Sequence, residues 1–363
     1  MKRRNFIKSA SLIIPGIAMG ARNLTGKTQQ DSKRPLIIDG MGEIHPHYPM
    51  ELIAEILDSG TNAITVTLGN PALHGPESFD DALESLSVFE HHIDSHRDYF
   101  LKATRVSDID KARKERRLAI FYMFQNTTPI GDDLDRLDFF YRLGVRCFQL
   151  TYNTRNLVGE GCMEPANASL SIFGYKVIEK MNSMGMLVDL SHACPATMSD
   201  ALKHSKDPVV ISHSACLAVH KHHRNISDDY LKALGKNGGV IGIYQINPYI
   251  SPKGYTTSLG DYIRHIDHAV NKAGVDHVGI GSDREHRIIP DTAEEKRKLE
   301  LEMAALHPDK SRKINWPFFI KEFNTPRRME VIWDGLIKHG HKSREVEKIM
   351  GKNFYRLYKD VIG

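Results

Sequence analysis

Cysteine is scarce and poorly spaced for a site. The 363-residue chain has four, Cys147, Cys162, Cys194 and Cys216, with no CxxC pair, which excludes zinc-ribbon and thioredoxin-type centres. Four cysteines allow three full pairings and the sequence selects none. Cys147 inside an apolar run and Cys216 just after one read most simply as buried thiols. No stretch of 18 apolar residues occurs, so nothing spans a bilayer of about 30 Å and the mature chain is expected to be soluble. No GxGxxG or Walker loop follows an apolar run, which removes the dinucleotide-binding and P-loop readings. Fixed-period repeats and low-complexity tracts are lacking too. The net charge of +4 is accounted for by Lys2, Arg3, Arg4 and Lys8 at the start. The remainder is neutral, and nucleic acid is not an expected partner.

What is present is ample apolar material, 41% of residues against 26% charged, enough for two ordinary domains or one large α/β barrel. Histidine is the unusual count, at 19, which directs attention to metal ligands and acid/base groups. Residues 1–21 combine a basic start, an apolar stretch from Ala10 to Met19 and small residues at Ala18, Gly20 and Ala21, the pattern of a signal peptide. Arg3-Arg4-Asn5-Phe6-Ile7-Lys8 resembles the twin-arginine export signal. That resemblance implies the twin-arginine machinery as a partner of the precursor and a periplasmic or extracellular location. A polar linker, 22–34, follows.

Eight short, mostly unalternating apolar runs come next: Leu36–Asp39, Ala63–Leu68, Leu118–Phe124, Cys147–Tyr152, Met186–Leu190, Val209–Ser212, Val240–Tyr244 and Val278–Gly281. Strands buried on both faces read this way, as in a parallel sheet. Between them, Asp132–Leu143, Ile172–Met184 and Asp261–Ala273 carry apolar residues at helical spacing. Eight strands alternating with helices predict an α/β fold, a (β/α)8 TIM barrel spanning 35–363 as one domain, with a doubly wound open sheet as runner-up. The stretch 284–328 is longer than an ordinary βα loop and reads as a helical insertion after strand 8, a lid over the barrel mouth or a solvated helix. C-terminal helices follow at about Pro326–His339 and Ser343–Asp360.

Polar side chains at the C-terminal ends of barrel strands face the active-site mouth. Those positions carry Asp39-Gly40-Met41-Gly42-Glu43, Gln125-Asn126, Tyr152-Asn153, Asp189-Leu190-Ser191-His192, Ser212-His213-Ser214, Gln245 with Asn247, and Ser282-Asp283. His192 and His213, one βα unit apart, can converge on one Zn2+, and Asp283 on the last strand can serve as general base beside it.

Val188-Asp189-Leu190-Ser191-His192, Val210-Ile211-Ser212-His213-Ser214, His223-Arg224-Asn225-Ile226-Ser227-Asp228-Asp229, Val278-Gly279-Ile280-Gly281-Ser282-Asp283 and Ile349-Met350-Gly351-Lys352-Asn353-Phe354 occur in that order. Together they resemble the membrane (renal-type) dipeptidase family, peptidase family M19, within the amidohydrolase superfamily. The resemblance runs from Ile38 to the end. It implies that His192 and His213 hold the second zinc and that Asp283 moves the proton between attacking water and leaving amine. It implies further that Arg224 clamps the substrate carboxylate, and that Tyr152 stands where a histidine polarises the carbonyl, with Asn153 beside it as a substrate-binding residue. A homodimer is allowed.

Two departures bear on the metal count. The family's opening Asp-Gly-His-x-Asp is here Asp39-Gly40-Met41-Gly42-Glu43, and its bridging carboxylate is Gln125. Thioether and amide are weak ligands for Zn2+, although Glu43 retains an oxygen donor. One zinc per chain is therefore expected, held by His192 and His213 with help from Gln125, Asp283 or Glu43, while His45 and His47 are near enough in sequence to re-supply a ligand. The expected function is an exported metal-dependent hydrolase cleaving an amide, dipeptide-like bond in a small carboxylate-bearing substrate by metal-activated water. The alternative is a noncatalytic small-ligand-binding protein on the same barrel. A metal-free lyase or isomerase would need a strand-end lysine or a phosphate loop, and neither is present.

Overall fold

The computed structural model describes residues 35–307 and 315–363. The expected leader (1–21), the linker (22–34) and part of the insertion (308–314) lie outside the described residues.

Among the described residues there are nine parallel strands: β1 Ile37–Asp39, β2 Thr61–Thr67, β3 Phe100–Lys102, β4 Leu118–Phe124, β5 Val145–Gln149, β6 Leu187–Asp189, β7 Val210–Ser214, β8 Val240–Ile243 and β9 Val278–Ile280. Neighbours run β2-β1-β9-β8-β7-β6-β5-β4, and β2 pairs β4 from Ala63↔Ala119 to Thr67↔Met123. That pairing closes eight strands into a ring, the TIM barrel expected from the eight apolar runs. The unforeseen ninth strand, β3, pairs only with Leu118–Ile120 at the start of β4 and lies outside the ring. Three residues carry too little periodic signal to announce a strand.

Both faces of β4 are apolar, yet the two faces meet different neighbours. Along β4, Ala119, Phe121 and Met123 join a cluster with Ile38, Ala63, Cys147, Val210 and Val240, while Leu118, Ile120, Tyr122 and Phe124 pack in the larger cluster beneath the helices. The first set fills the barrel, where alternation along a pleated strand sends every second side chain inward.

One end of that interior is plugged by the C-terminus. The predicted helix Ser343–Asp360 is interrupted: α-helices at Ser343–Glu347 and Asn353–Val361 flank a π-helical turn, Lys348–Lys352. There Gly351 lies so close to the Leu36 carbonyl that a Cβ would come within 2.3 Å of it. The last helix directs Phe354 against Gly40 and Gly279, either of which would collide with the ring if it bore a side chain. Tyr358 Oη bonds Thr65 Oγ1 at 2.6 Å, and Asn353 Nδ2 donates to the carbonyls of Val275 and Val278.

Other predicted helices agree to within three residues: Asp135–Arg142, Ile172–Met184, Leu259–Ala273 and Arg328–His339. In the insertion a helix runs Ala293–Leu306, and Leu299, Phe318 and Phe319 pack with Ile246 and Ile289 as a small separate cluster. Asn247, read as a mouth residue, instead donates through Nδ2 to Pro317 and Phe319 carbonyls and so ties this insertion to the barrel. The four cysteines are free thiols, three of them buried. Among the described residues no helix is long and apolar enough to cross a membrane.

Phe354 is fully buried, so Phe354→Ala should cost about 3–5 kcal/mol of stability. Val88→Ala on an exposed helix face should stay within about 0.5 kcal/mol. Urea unfolding of the two variants checks the difference.

Candidate active site

At the opposite end of the ring lies a cavity of about 630 Å3 whose lining includes Glu43, Gln125, Tyr152, His192, Arg224 and Asp283. The local folding that presents these groups begins with a carboxylate that never reaches the cavity. Asp189, the last residue of β6, is fully buried. Its Oδ1 accepts from Ser191 N (2.9 Å), Ser191 Oγ (2.8 Å) and Ser212 N (3.0 Å), and its Oδ2 accepts from Ser212 Oγ. Four donors from two consecutive strand ends thus converge on one side chain, and the residue after each of the two serines is a histidine of the site.

Those bonds set the tautomers. Ser212 Oγ has a single proton, given to Asp189, so its 2.8 Å contact with His213 Nδ1 is one in which the ring donates. Asn153 Nδ2 donates to the Leu306 carbonyl at 3.2 Å, which turns Oδ1 toward His192 Nδ1 at 2.8 Å, and again the ring donates. Both imidazoles therefore carry their proton on Nδ1, and their bare Nε2 atoms face each other at 3.1 Å. Burial pushes both rings well below the ordinary histidine pKa, with the Arg224 charge adding to it, so neither is protonated at neutral pH. Two lone pairs at that separation in a buried site repel unless a cation lies between them. Neutral imidazoles fixed by hydrogen bonds at the far nitrogen are how proteins present zinc ligands. The donor set fits a metal ion.

Around this pair, the Tyr152 ring stacks on His192 with centroids 4.3 Å apart, and burial holds its phenol protonated. Arg224 is buried and donates from Nη2 to the His213 carbonyl at 3.2 Å. Asp283 is raised to about 7, chiefly by burial, with Arg224 opposing and the Asp39 and Asp189 charges adding. His192 and Asp283 both have left-handed backbones, φ 61° and 51°. Such conformations cost about 1–3 kcal/mol each for residues with side chains and persist where the surroundings enforce them. Here Asp283 N donates to the Met41 carbonyl at 2.9 Å, and His192 O accepts from Cys162 N at 2.7 Å.

Other sequence candidates fall differently. Asn153 lines the cavity, but both ends of its amide are engaged, one on His192, which makes it a positioning residue for that ring. Met41 is fully buried among the apolar side chains of the barrel interior. Gln125 lines the cavity as a neutral amide. Glu43 stands beside Glu285 because a parallel bridge joins their backbones. Its carboxyl is pushed up to about 8, first by burial and then by Asp283, Glu285 and Glu302. His45 Nε2 lies 3.8 Å from carboxylate oxygens of both glutamates, and the three residues form a second group able to hold a cation. His47 stacks on His45 with centroids 5.3 Å apart. Sequence reasoning missed Asp189 and the serines as orienting groups, and it missed Arg284 and Glu285, charged residues directly after the last strand that face the same cavity.

Residues 49–310 match the family described as Membrane dipeptidase (Peptidase family M19). The chain is 33% identical over 209 residues to dipeptidase verJ of Clonostachys rogersoniana, covering 57% of this chain and 53% of that one. It spans about half the length of the curated relatives it matches. Among solved structures, an amidohydrolase from Pseudomonas aeruginosa superposes with a TM-score of 0.79 at 28% identity, over 90% of this chain and 96% of that one. A metallopeptidase from Rhodobacter sphaeroides, liganded with a phosphinate mimic of the dipeptide L-Ala-D-Ala, superposes with a TM-score of 0.71 at 16% identity, over 90% and 99%. At that identity the second likeness concerns the fold.

Ser212→Ala removes the acceptor that holds the His213 proton on Nδ1. Zinc affinity, read by competition with a chromophoric chelator, should fall about 10–100-fold, while the lost donor to buried Asp189 costs about 1–3 kcal/mol of stability, read separately by urea unfolding.

Proposed function

The chain belongs to the membrane dipeptidase family, peptidase family M19, and from that premise we propose that it is a metal-dependent hydrolase cleaving the amide bond of a small dipeptide-like substrate with a free carboxylate. The observation that carries this reading is the pair of unprotonated Nε2 atoms 3.1 Å apart, of which His192 lines the cavity together with Asp283, a carboxyl group poised near neutrality. His192 and His213 would hold the cation, zinc on the family's precedent. When bound, such an ion lowers the pKa of water and polarises a carbonyl oxygen.

The protein's own groups do the rest. Arg224 receives the substrate carboxylate, its planar fork suited to two parallel hydrogen bonds. The Tyr152 phenol, kept protonated, donates to the oxygen that becomes negative as the carbonyl is attacked; one such donor is worth about 10²–10³ in rate. Asp283, as carboxylate, takes a proton from water and returns it to the departing amine. We read one cation per chain. Met41 supports this, being spent on the barrel interior, as does the neutral amide of Gln125. Export by the twin-arginine route belongs to the same proposal, supported by Arg3-Arg4-Asn5-Phe6-Ile7-Lys8.

Zinc-loaded protein should release free amino acids from a panel of dipeptides, and chelation should abolish the release. Failure to cleave any dipeptide when loaded would remove the reading. Asp283 must lose its proton to act, and its carboxyl sits at about 7, a value that a nearby cation lowers. The rate kcat/KM should therefore fall with acidification at or below about pH 7. Asp283→Asn should lower kcat by about 10²–10⁴ and erase that acidic limb.

A further inference from the structure

Arg284 follows Asp283 and lines the same cavity, yet it has no part in the chemistry above. Its side chain is buried, with 2% of the residue exposed. None of its three guanidinium nitrogens, Nε, Nη1 or Nη2, has a hydrogen-bond partner among the described residues. A guanidinium has five N–H donors and no way to become neutral at physiological pH. Burying it without an acceptor is among the costlier arrangements available to a protein. The neighbouring Arg328 does not share the problem to the same degree, since its Nη1 and Nη2 donate to Glu285 O, Ser282 Oγ and Arg284 O. Arg284 is thus a fixed positive charge, unpaired among the described residues, at a wall of the substrate cavity.

Its surroundings say which end of a substrate it meets. Arg224 lies next to His213 and acts electrostatically on His192, His213, Tyr152 and Asp283. Arg284 belongs to a different neighbourhood, that of Glu43, Glu285 and Arg328. Glu302, from the helix Ala293–Leu306, adds a further carboxylate against Glu43. Glu285 is already bonded by Arg287 and by Tyr48, whereas Glu43 has no such donor among the described residues. This end of the cavity therefore combines a guanidinium without a partner among the described residues with the carboxyl groups of Glu43 and Glu302, both raised by burial and by neighbouring carboxylates, so that an arriving cation favours their ionised forms. Those are the complements of a carboxylate and an ammonium carried on one residue.

We propose that the cavity end formed by the segments after β1 and β9 is a second carboxylate subsite, in which Arg284 binds an acidic group on the amine-bearing residue of the substrate. The preferred substrates are then dipeptides bearing two carboxylates, the second on an N-terminal acidic residue. One carboxylate goes to Arg224 and the second to Arg284, with the ammonium toward Glu43 and Glu302. This rests on the dipeptidase reading given above.

The test compares kcat/KM of the zinc-loaded full chain for Glu-Ala, the isosteric neutral Gln-Ala, and Ala-Glu, with γ-Glu-Ala locating the second carboxylate. A buried charge-paired hydrogen bond implies a preference for Glu-Ala over Gln-Ala of about 30-fold or more, and Ala-Glu should gain no such advantage. In Arg284→Gln that ratio should drop at least tenfold, with Arg284→Lys intermediate. Equal use of Glu-Ala and Gln-Ala by the wild-type protein would overturn the inference while leaving the dipeptidase reading intact. So would an unchanged ratio in Arg284→Gln, since a merely structural guanidinium would alter stability or overall rate and not the ratio. If no dipeptide is cleaved, calorimetric binding of Glu-Ala and Gln-Ala to the same protein decides: tighter Glu-Ala binding upholds the subsite although the hydrolase reading has failed, and equal binding removes both.

Discussion

Four donors on one buried carboxylate hold the active end of this barrel together. Asp189 gathers the backbone and hydroxyls of Ser191 and Ser212, which ties the ends of two neighbouring strands and fixes where His192 and His213 begin. Because Ser212 gives Asp189 its only proton, it must accept from His213, so the same carboxylate also dictates which ring nitrogen is bare. A hydrogen-bonded buried carboxylate of this kind is stable only when its donors are all in place. Asp39 repeats the device at the other side of the ring, accepting from Ser282 N, Ser282 Oγ and His286 Nε2, and thereby sets the segment that carries Asp283 and Arg284.

The two ends of the barrel divide the work. At one end Phe354 fills the interior against glycines that leave room for no side chain, and Tyr358 packs in the same cluster. At the other, the chain tolerates left-handed backbone at His192 and Asp283, a guanidinium at Arg284 without a partner among the described residues and adjacent carboxyl groups at Glu43 and Glu285. Each of these is unfavourable locally, and each is held by packing and hydrogen bonds made elsewhere. Unfavourable terms concentrated on one cavity mark the place where ligands supply the missing partners.

Much of this was legible in the sequence. The eight apolar runs gave the ring strands because a strand buried on both faces needs no alternation, and the polar residues ending those runs include His192, His213, Tyr152 and Asp283. The division of β4 into inward Ala119, Phe121, Met123 and outward Leu118, Ile120, Tyr122 was not legible, since both sets are apolar. The strand Phe100–Lys102 was too short to register. Asn153 could be seen at a strand end, but only the fold shows its amide turned to His192. Arg284 and Glu285 did leave a signal, a run of charge directly after a buried strand. Their meaning depends on burial and on the bridge to Glu43, which no local pattern contains.

Metal stoichiometry is the measurement that decides whether the facing Nε2 atoms of His192 and His213 hold a cation. Protein purified without added metal or chelator, measured by elemental analysis, should carry about one zinc or similar ion per chain and lose it in His192→Ala and His213→Ala. Two ions per chain would contradict the single-metal account and assign the second to Glu43, His45 and Glu285. No metal, and none taken up on reconstitution, would contradict the cation site itself.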